Sequence, residues 1–194
     1  MTSFKHGNTI FLDPELILSV HVDNILLTGK TQGIINTFKV ELNKLFKIKD
    51  LGPTQAYLRI QIEQNLRQKT IKISQTRYLQ EMIRRYNLKQ INPNLTSLPA
   101  GLRIDTNTQN YDDHELKADY QLILGNSTYL IQTIRLDIAY TISLISRFLV
   151  KPTHTHRKLL KDVLRYLKDT AFLDIIYKHN TDAKLNLETH TNTD

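Results

Sequence analysis

Polar and apolar positions alternate in short runs along the first part of the chain. Ile17-Leu18-Ser19-Val20 and Ile25-Leu26-Leu27-Thr28-Gly29 flank a polar centre, His21-Val22-Asp23-Asn24. Two short apolar runs about so few polar residues predict a β-hairpin whose turn carries a charge. Ahead of it, Thr9-Ile10-Phe11-Leu12 is closed by Asp13-Pro14, which favours a turn because proline restricts the residue before it. After the hairpin, Thr31 stands where it can cap a helix, with Ile34, Ile35, Phe38, Leu42, Leu45 and Phe46 at three- and four-residue spacing. Asp50-Leu51-Gly52-Pro53 ends that unit. Period two then returns over residues 57–64 and 70–74 and predicts a second hairpin. A helix over about residues 75–86 follows, with Tyr78, Leu79, Met82 and Ile83 on one face. The order strand, strand, helix, hairpin, helix predicts an α+β fold, an antiparallel sheet with helices on one side.

Periodicity fades over residues 89–112, where Asn, Thr, Pro93 and Pro99 predict a linker or long surface loop. Three helical stretches come next, at about 115–133, 136–149 and 155–169. Leu136, Ile138, Ala139, Ile142, Ile145, Ser146 and Leu149 give the second a face, and Leu159, Leu160, Val163, Leu164 and Leu167 the third, with Pro152 as the stop between them. These read as a small helical subdomain. Residues 175–177 and 184–187 are strand-like.

Composition adds bounds. With 194 residues, 40% of them hydrophobic, the chain is of the globular class and long enough for one good core or two small subdomains. Lys+Arg 26 against Asp+Glu 19 gives a formal charge of +7, which suits a polyanionic partner without demanding one. The absence of Cys excludes a disulfide framework and cysteine-based zinc sites. It fits a reducing compartment, inside the cell in cytoplasm or nucleus. No apolar run approaches the roughly 20 residues that span a bilayer, and residues 1–8 lack the apolar core of a signal peptide.

Three features carry candidate chemistry. His21 and Asp23 at i, i+2 spacing are possible metal ligands, against a plain hairpin turn and a structural histidine. His154-x-His156 ahead of a helix is a zinc signal without a third ligand. The basic set Arg157, Lys158, Lys161, Arg165 and Lys168 on the last helix is a solvated face or a phosphate-binding one; Arg77, Arg84 and Arg85 have the same standing.

Ordered blocks of the chain resemble the reverse transcriptase of copia-type retrotransposons. His21-Val22-Asp23-Asn24 stands where that family carries Tyr-Val-Asp-Asp. Leu45-Phe46-Lys47-Ile48-Lys49-Asp50-Leu51-Gly52 is similar to its Phe-x-Met-Lys-Asp-Leu-Gly, and Tyr57-Leu58-Arg59-Ile60-Gln61-Ile62 to its Phe-Leu-Gly-Ile-x-Ile. Ile73-Ser74-Gln75-Thr76-Arg77-Tyr78 resembles Leu-Ser-Gln-x-x-Tyr, and Arg135-Leu136-Asp137-Ile138-Ala139-Tyr140 resembles Arg-Pro-Asp-Ile-Ala-Tyr. Ser146-Arg147-Phe148, Pro152 and His156 then lead into Val163-Leu164-Arg165-Tyr166-Leu167-Lys168-Asp169-Thr170. The blocks run from about residue 16 to 178 in the family's order.

The resemblance implies a partial palm with the active-site hairpin and a primer-grip-like hairpin over residues 1–88. A linker over 89–114, a helical thumb-like subdomain over 115–170 and the start of a truncated ribonuclease H domain over 171–194 complete it. It implies an RNA or DNA template-primer as partner, the rest of a retrotransposon polyprotein beside it, and Mg²⁺ as cofactor. Nucleotide addition needs carboxylates that hold two Mg²⁺ about 4 Å apart. Asp23 is the catalytic and metal-binding residue carried over, and Asn24 keeps the shape of the second aspartate without its charge. The family's first catalytic aspartate falls upstream of Met1, and Asp13 is too far along the strand to replace it. Nucleic-acid contacts implied are Arg59, Lys72, Arg77, Arg84, Arg157, Lys158, Lys161 and Arg165. Arg59 replaces a glycine of the primer hairpin, where a long side chain crowds a backbone meant to approach the primer. Leu136 replaces a proline, Asp169 and Asp174 replace glycines, and Asn126 a serine. Asn192 takes the place of the ribonuclease H domain's first catalytic aspartate. The expectation is a polymerase fragment inactive alone; the alternatives are a residual nucleic-acid-binding module without enzymatic activity and a transposon remnant without function.

Overall fold

Asp13 makes the first turn as its pairing with proline predicts. Its carbonyl accepts the Leu16 N–H at 3.3 Å, its N–H donates to the Leu16 carbonyl at 2.8 Å, and its Oδ1 accepts the Glu15 N–H at 3.1 Å. The structure, a computed structural model, describes residues 10–86, 96–98 and 113–179, and the chain divides after Tyr57 into two units. In the first unit, strands β1 (Ile10–Leu12), β2 (Leu16–His21) and β3 (Asn24–Gly29) form an antiparallel meander. The register sets Leu18 between Phe11 and Leu27, and Ile17 between Leu12 and Thr28. Strand alternation therefore sends Leu16 and Leu18, both buried, to one face and Ile17, 46% exposed, to the other.

Helix α1 (Gln32–Leu45) packs against β3. Thr31 caps it as expected, its Oγ1 accepting the Ile34 N–H at 3.4 Å. Contact between helix and strand is close at Gly29, where a Cβ would lie 2.9 Å from Ile35 Cγ1. Ile34, Ile35, Phe38 and Leu42 are half-buried, and no residue of α1 is fully buried. The helix stops at Phe46, whose backbone is extended, and a two-residue strand β4 (Ala56–Tyr57) closes the unit.

The second unit holds strands β5 (Ile60–Asn65), β6 (Thr70–Ser74) and β7 (Ile175–Lys178), antiparallel with β6 in the middle. The expected single strand over 57–64 is broken, because Leu58 and Arg59 turn with φ of 47° and 60°. An insertion of two residues keeps an alternating pattern in phase, so periodicity alone does not show this turn.

Among its described residues the unit also holds four helices: α2 (Thr76–Arg85), α3 (His114–Thr133), α4 (Ala139–Ser146) and α5 (His154–Asp169). The stretch read as 136–149 is a 3-10 turn at Leu136–Ile138 followed by α4, which stops at Ser146. Its core brings together Tyr78, Leu79 and Met82 of α2, Ile123, Leu124 and Leu130 of α3, Ile142 and Ile145 of α4, and Leu160, Val163, Leu164 and Leu167 of α5. Burial of this extent is the main stabilising term of the unit. Among the described residues, two antiparallel sheets and five helices make the architecture α+β. Residues 184–187 and Asn192, and most of the expected linker over 89–112, lie outside the described residues. No helix among the described residues is long and apolar enough to cross a membrane.

Candidate functional site

Strands β2 and β3 are joined by Val22 and Asp23 alone, with His21 and Asn24 as the closing pair. Two-residue hairpin turns need positive φ, which asparagine and glycine accept readily. Here Val22, β-branched and 82% exposed, takes φ of 52°. A β-branched residue in that region is strained, and the turn is held by the six-pair register on its two sides. Asp23 and Asn24 are both exposed. Asp23 lies in the turn, so it does not share a strand face with His21 as the spacing suggested. Asp13 turns the chain at the opposite end of β2.

The donors at this turn are therefore one carboxylate and one amide. Magnesium is held mainly by carboxylates and water, so these residues do not fit a two-metal centre. Among the described residues, no group of three His, Asp or Glu is placed to hold a metal ion.

The eight basic positions all belong to the second unit, and the structure sorts them. Lys72 pairs with Asp174 at 2.8 Å, Arg157 with Asp119 at 2.5 Å and Arg165 with Asp162 at 2.6 Å. The hydrogen bond to Asp174 and its charge hold the Lys72 ammonium above its ordinary pKa. Arg59 lies 5.5 Å from the centre of the Tyr78 ring, a cation–π distance. Tyr129 crosses that ring edge-on at 5.1 Å and donates its hydroxyl to the Leu58 carbonyl, which fastens the left-handed turn. Tyr129 had no sequence signal beyond its place on a helix. Arg77, Arg84 and Lys158 are exposed, and Lys161 is half-buried. Exposed cations of this kind contact phosphate at little desolvation cost, whereas paired ones must first part from a carboxylate.

Several of the blocks that carry the resemblance are buried polar networks. Ser74, Gln75 and Tyr78 are each buried. Gln75 Oε1 accepts from Thr133 at 2.5 Å, and Tyr78 donates to Asn126 Oδ1 at 3.1 Å while Asn126 Nδ2 donates to Tyr86 at 2.8 Å. Arg135 is 2% exposed. Its Nε and Nη2 grip both oxygens of Asp137 at 2.9 and 2.7 Å, and Tyr166 donates to the same carboxylate at 2.8 Å. Burial pushes the Asp137 carboxyl up, but the hydrogen bonds from Arg135 and Tyr166 outweigh it and leave it below the usual value.

The His154-x-His156 pair resolves in favour of structure. His156 is buried and stacked on Phe148 at 3.9 Å, and its Nδ1 accepts the Thr153 N–H at 3.1 Å. Thr153 Oγ1 accepts the His156 N–H in return, a capping box at the start of α5.

Comparison with known proteins gives a consistent picture. The family described as Reverse transcriptase (RNA-dependent DNA polymerase) matches residues 6–100. The chain is 33% identical over 160 residues to the Retrovirus-related Pol polyprotein from transposon TNT 1-94 of Nicotiana tabacum, covering 80% of this chain and 12% of the polyprotein. It is 33% identical over 179 residues to an uncharacterized mitochondrial protein of Arabidopsis thaliana, covering 92% of this chain and 71% of that one. A transposon Ty5-1 protein of Saccharomyces cerevisiae is 30% identical over 178 residues, with 89% and 55% covered. The chain thus spans a small part of the tobacco polyprotein and about half of the yeast protein. No solved structure matches it.

Proposed function

Since the chain belongs to the reverse-transcriptase family of copia-type retrotransposons, we propose that it is a palm and thumb fragment of such an enzyme, without polymerase activity on its own. In this reading β1 to β3 and α1 are the end of the palm. The hairpin β5–β6 is the primer-gripping element, α3 to α5 are the thumb, and residues from 171 onward begin a ribonuclease H domain. Its partners are an RNA or DNA template-primer and the remainder of a polyprotein.

The observation that carries the inactivity is the donor set at the Val22–Asp23 turn, where Asn24 supplies a neutral amide beside the Asp23 carboxylate. Two divalent ions need more negative charge than one carboxylate offers. The test is primer extension on a homopolymer template with Mg²⁺ or Mn²⁺. No dNTP incorporation is expected, and incorporation abolished by Asp23→Ala would overturn the proposal.

A second reading, a nucleic-acid-binding module without catalysis, is favoured by the exposed Arg77, Arg84 and Lys158 on α2 and α5. Contacts of this sort bind phosphate without sequence preference. Titration of an RNA–DNA hybrid across salt concentrations separates it from a remnant with no function, for which no salt-dependent Kd exists.

A further inference from the structure

Strands β5, β6 and β7 set Gln64, Ile71 and Tyr177 directly opposite one another, one row across the sheet and on one face of it. Pairing runs one step past that row, since the His179 N–H donates to the Lys69 carbonyl at 3.0 Å. A groove of about 420 Å³ lies over this end of the sheet. Gln64, Ile71 and Tyr177 line it, and so do Lys69, Lys178 and His179. The volume is on the scale of small-ligand sites, roughly 300 to 1,000 Å³.

The hairpin beside the groove is held by its own side chains. Asn65 Oδ1 accepts the Gln68 N–H at 3.0 Å and Asn65 Nδ2 donates to Gln68 Oε1 at 3.2 Å, so both amides are spent on the β5–β6 turn. Gln64 is exposed, Ile71 is 40% exposed and Tyr177 58%. The sheet's acids take the opposite face: Glu63 stands across from Lys72, and Asp174 pairs with Lys72 at 2.8 Å. Among the described residues the lining of the groove holds no acid, Lys69 and Lys178 form no ion pair, and the Tyr177 ring meets no other ring.

This lining defines a ligand of two parts. A flat ring lies well on Tyr177 and Ile71, whereas an alkyl chain on an open strand row would keep half its surface in water. The Gln64 amide, donor and acceptor at once, matches a ring edge that carries both. Two lysines call for an anion, and a phosphate monoester, nearly doubly charged at neutral pH, draws on both where a carboxylate or a phosphodiester brings one charge. An acidic peptide, with single charges and few planar rings, is the weaker match.

We propose that this groove is a nucleotide site, in which Lys69 and Lys178 hold a phosphate monoester, His179 donates a hydrogen bond to it, and the base lies on Tyr177 with its edge at Gln64. A free nucleotide and the phosphorylated end of a strand share this chemistry. The site uses none of Arg77, Arg84 and Lys158, and it stands or falls apart from the polymerase and backbone-binding readings.

The probe is AMP, titrated into the isotope-labelled full chain and followed by amide chemical shifts. Saturable shifts over residues 64–71 and 177–179 are expected, with a Kd of about 1 mM or below. Adenosine and ribose phosphate, each lacking one part, should bind at least about tenfold more weakly, and Lys69→Gln and Tyr177→Leu should each weaken AMP by about the same factor. Arg84→Ala, on α2, should leave AMP binding unchanged. Both altered positions in the groove are exposed, so the remaining amide shifts report an intact fold. An oligo(dT) strand with a phosphorylated end is compared with the same strand ending in a hydroxyl: a preference for the first that Lys69→Gln removes assigns the site to strand ends, and no preference assigns it to the free nucleotide. Absence of saturable AMP shifts overturns the proposal, as does adenosine or ribose phosphate binding as well as AMP, or AMP binding unmoved by both substitutions.

Discussion

Arg135 reaches Thr170 with two donors, Nη1 to the carbonyl at 3.0 Å and Nη2 to the hydroxyl at 2.6 Å, while holding Asp137 with Nε and the same Nη2. One buried guanidinium thus joins the 3-10 turn before α4 to the end of α5. Removing it leaves a carboxylate, a carbonyl and a hydroxyl short of partners. Arg135→Met should cost about 3 kcal/mol or more in urea denaturation, the range for breaking a buried pair. Arg135→Lys should recover little of it, because an ammonium cannot reproduce the planar fork.

The same network sets an acid limit on stability. The folded pKa of Asp137 lies below its ordinary value of 3.8, so its contribution is fully present above that value. It is lost as pH falls through the lowered folded value. Urea midpoints measured from neutral pH down to strongly acidic conditions should decline in that window, and Asp137→Asn should flatten this part of the decline.

Strain at the hairpin turn is open to relief. Val22 is 82% exposed with φ of 52°, so Val22→Asn gives up almost no burial and places a residue that tolerates the left-handed region. A gain of roughly 1 kcal/mol is expected, visible as slower amide exchange across β2 and β3. Val22→Ala, which loses the β-branch but has no side-chain amide to hydrogen-bond locally, should gain less.

Exposed and paired cations should differ in their response to salt. For binding to an RNA–DNA hybrid, Arg84→Ala should reduce the slope of log K against log salt by about one, the share of one phosphate contact. Arg157→Ala should change it less, since Arg157 is engaged by Asp119 at 2.5 Å. Equal changes in both would show that phosphate displaces the aspartate.

Most elements were legible from periodicity, because buried faces impose it. Thr31, the hairpin about Val22 and Asp23, and the α2 face of Tyr78, Leu79 and Met82 all stand where the pattern placed them. The turn at Leu58 and Arg59 was hidden by its even length. Its geometry bears on the glycine that the resemblance places there: Arg59 has φ of 60°, a region that glycine enters without cost. Ion pairs were less legible still. Lys72 with Asp174 joins residues far apart in sequence, and no spacing rule announces such a pair. His156 shows the reverse, a residue with a metal-like motif whose ring is spent on capping α5.

Burial is unevenly shared between the two units. Among the described residues the first buries only Leu16 and Leu18 of its apolar side chains, and α1 buries none fully, whereas the second buries a cluster drawn from all four of its helices. Opening free energy follows buried apolar contact. Amide protons of β1 to β3 and α1 should therefore exchange through a low-energy partial opening that leaves α2 to α5 protected.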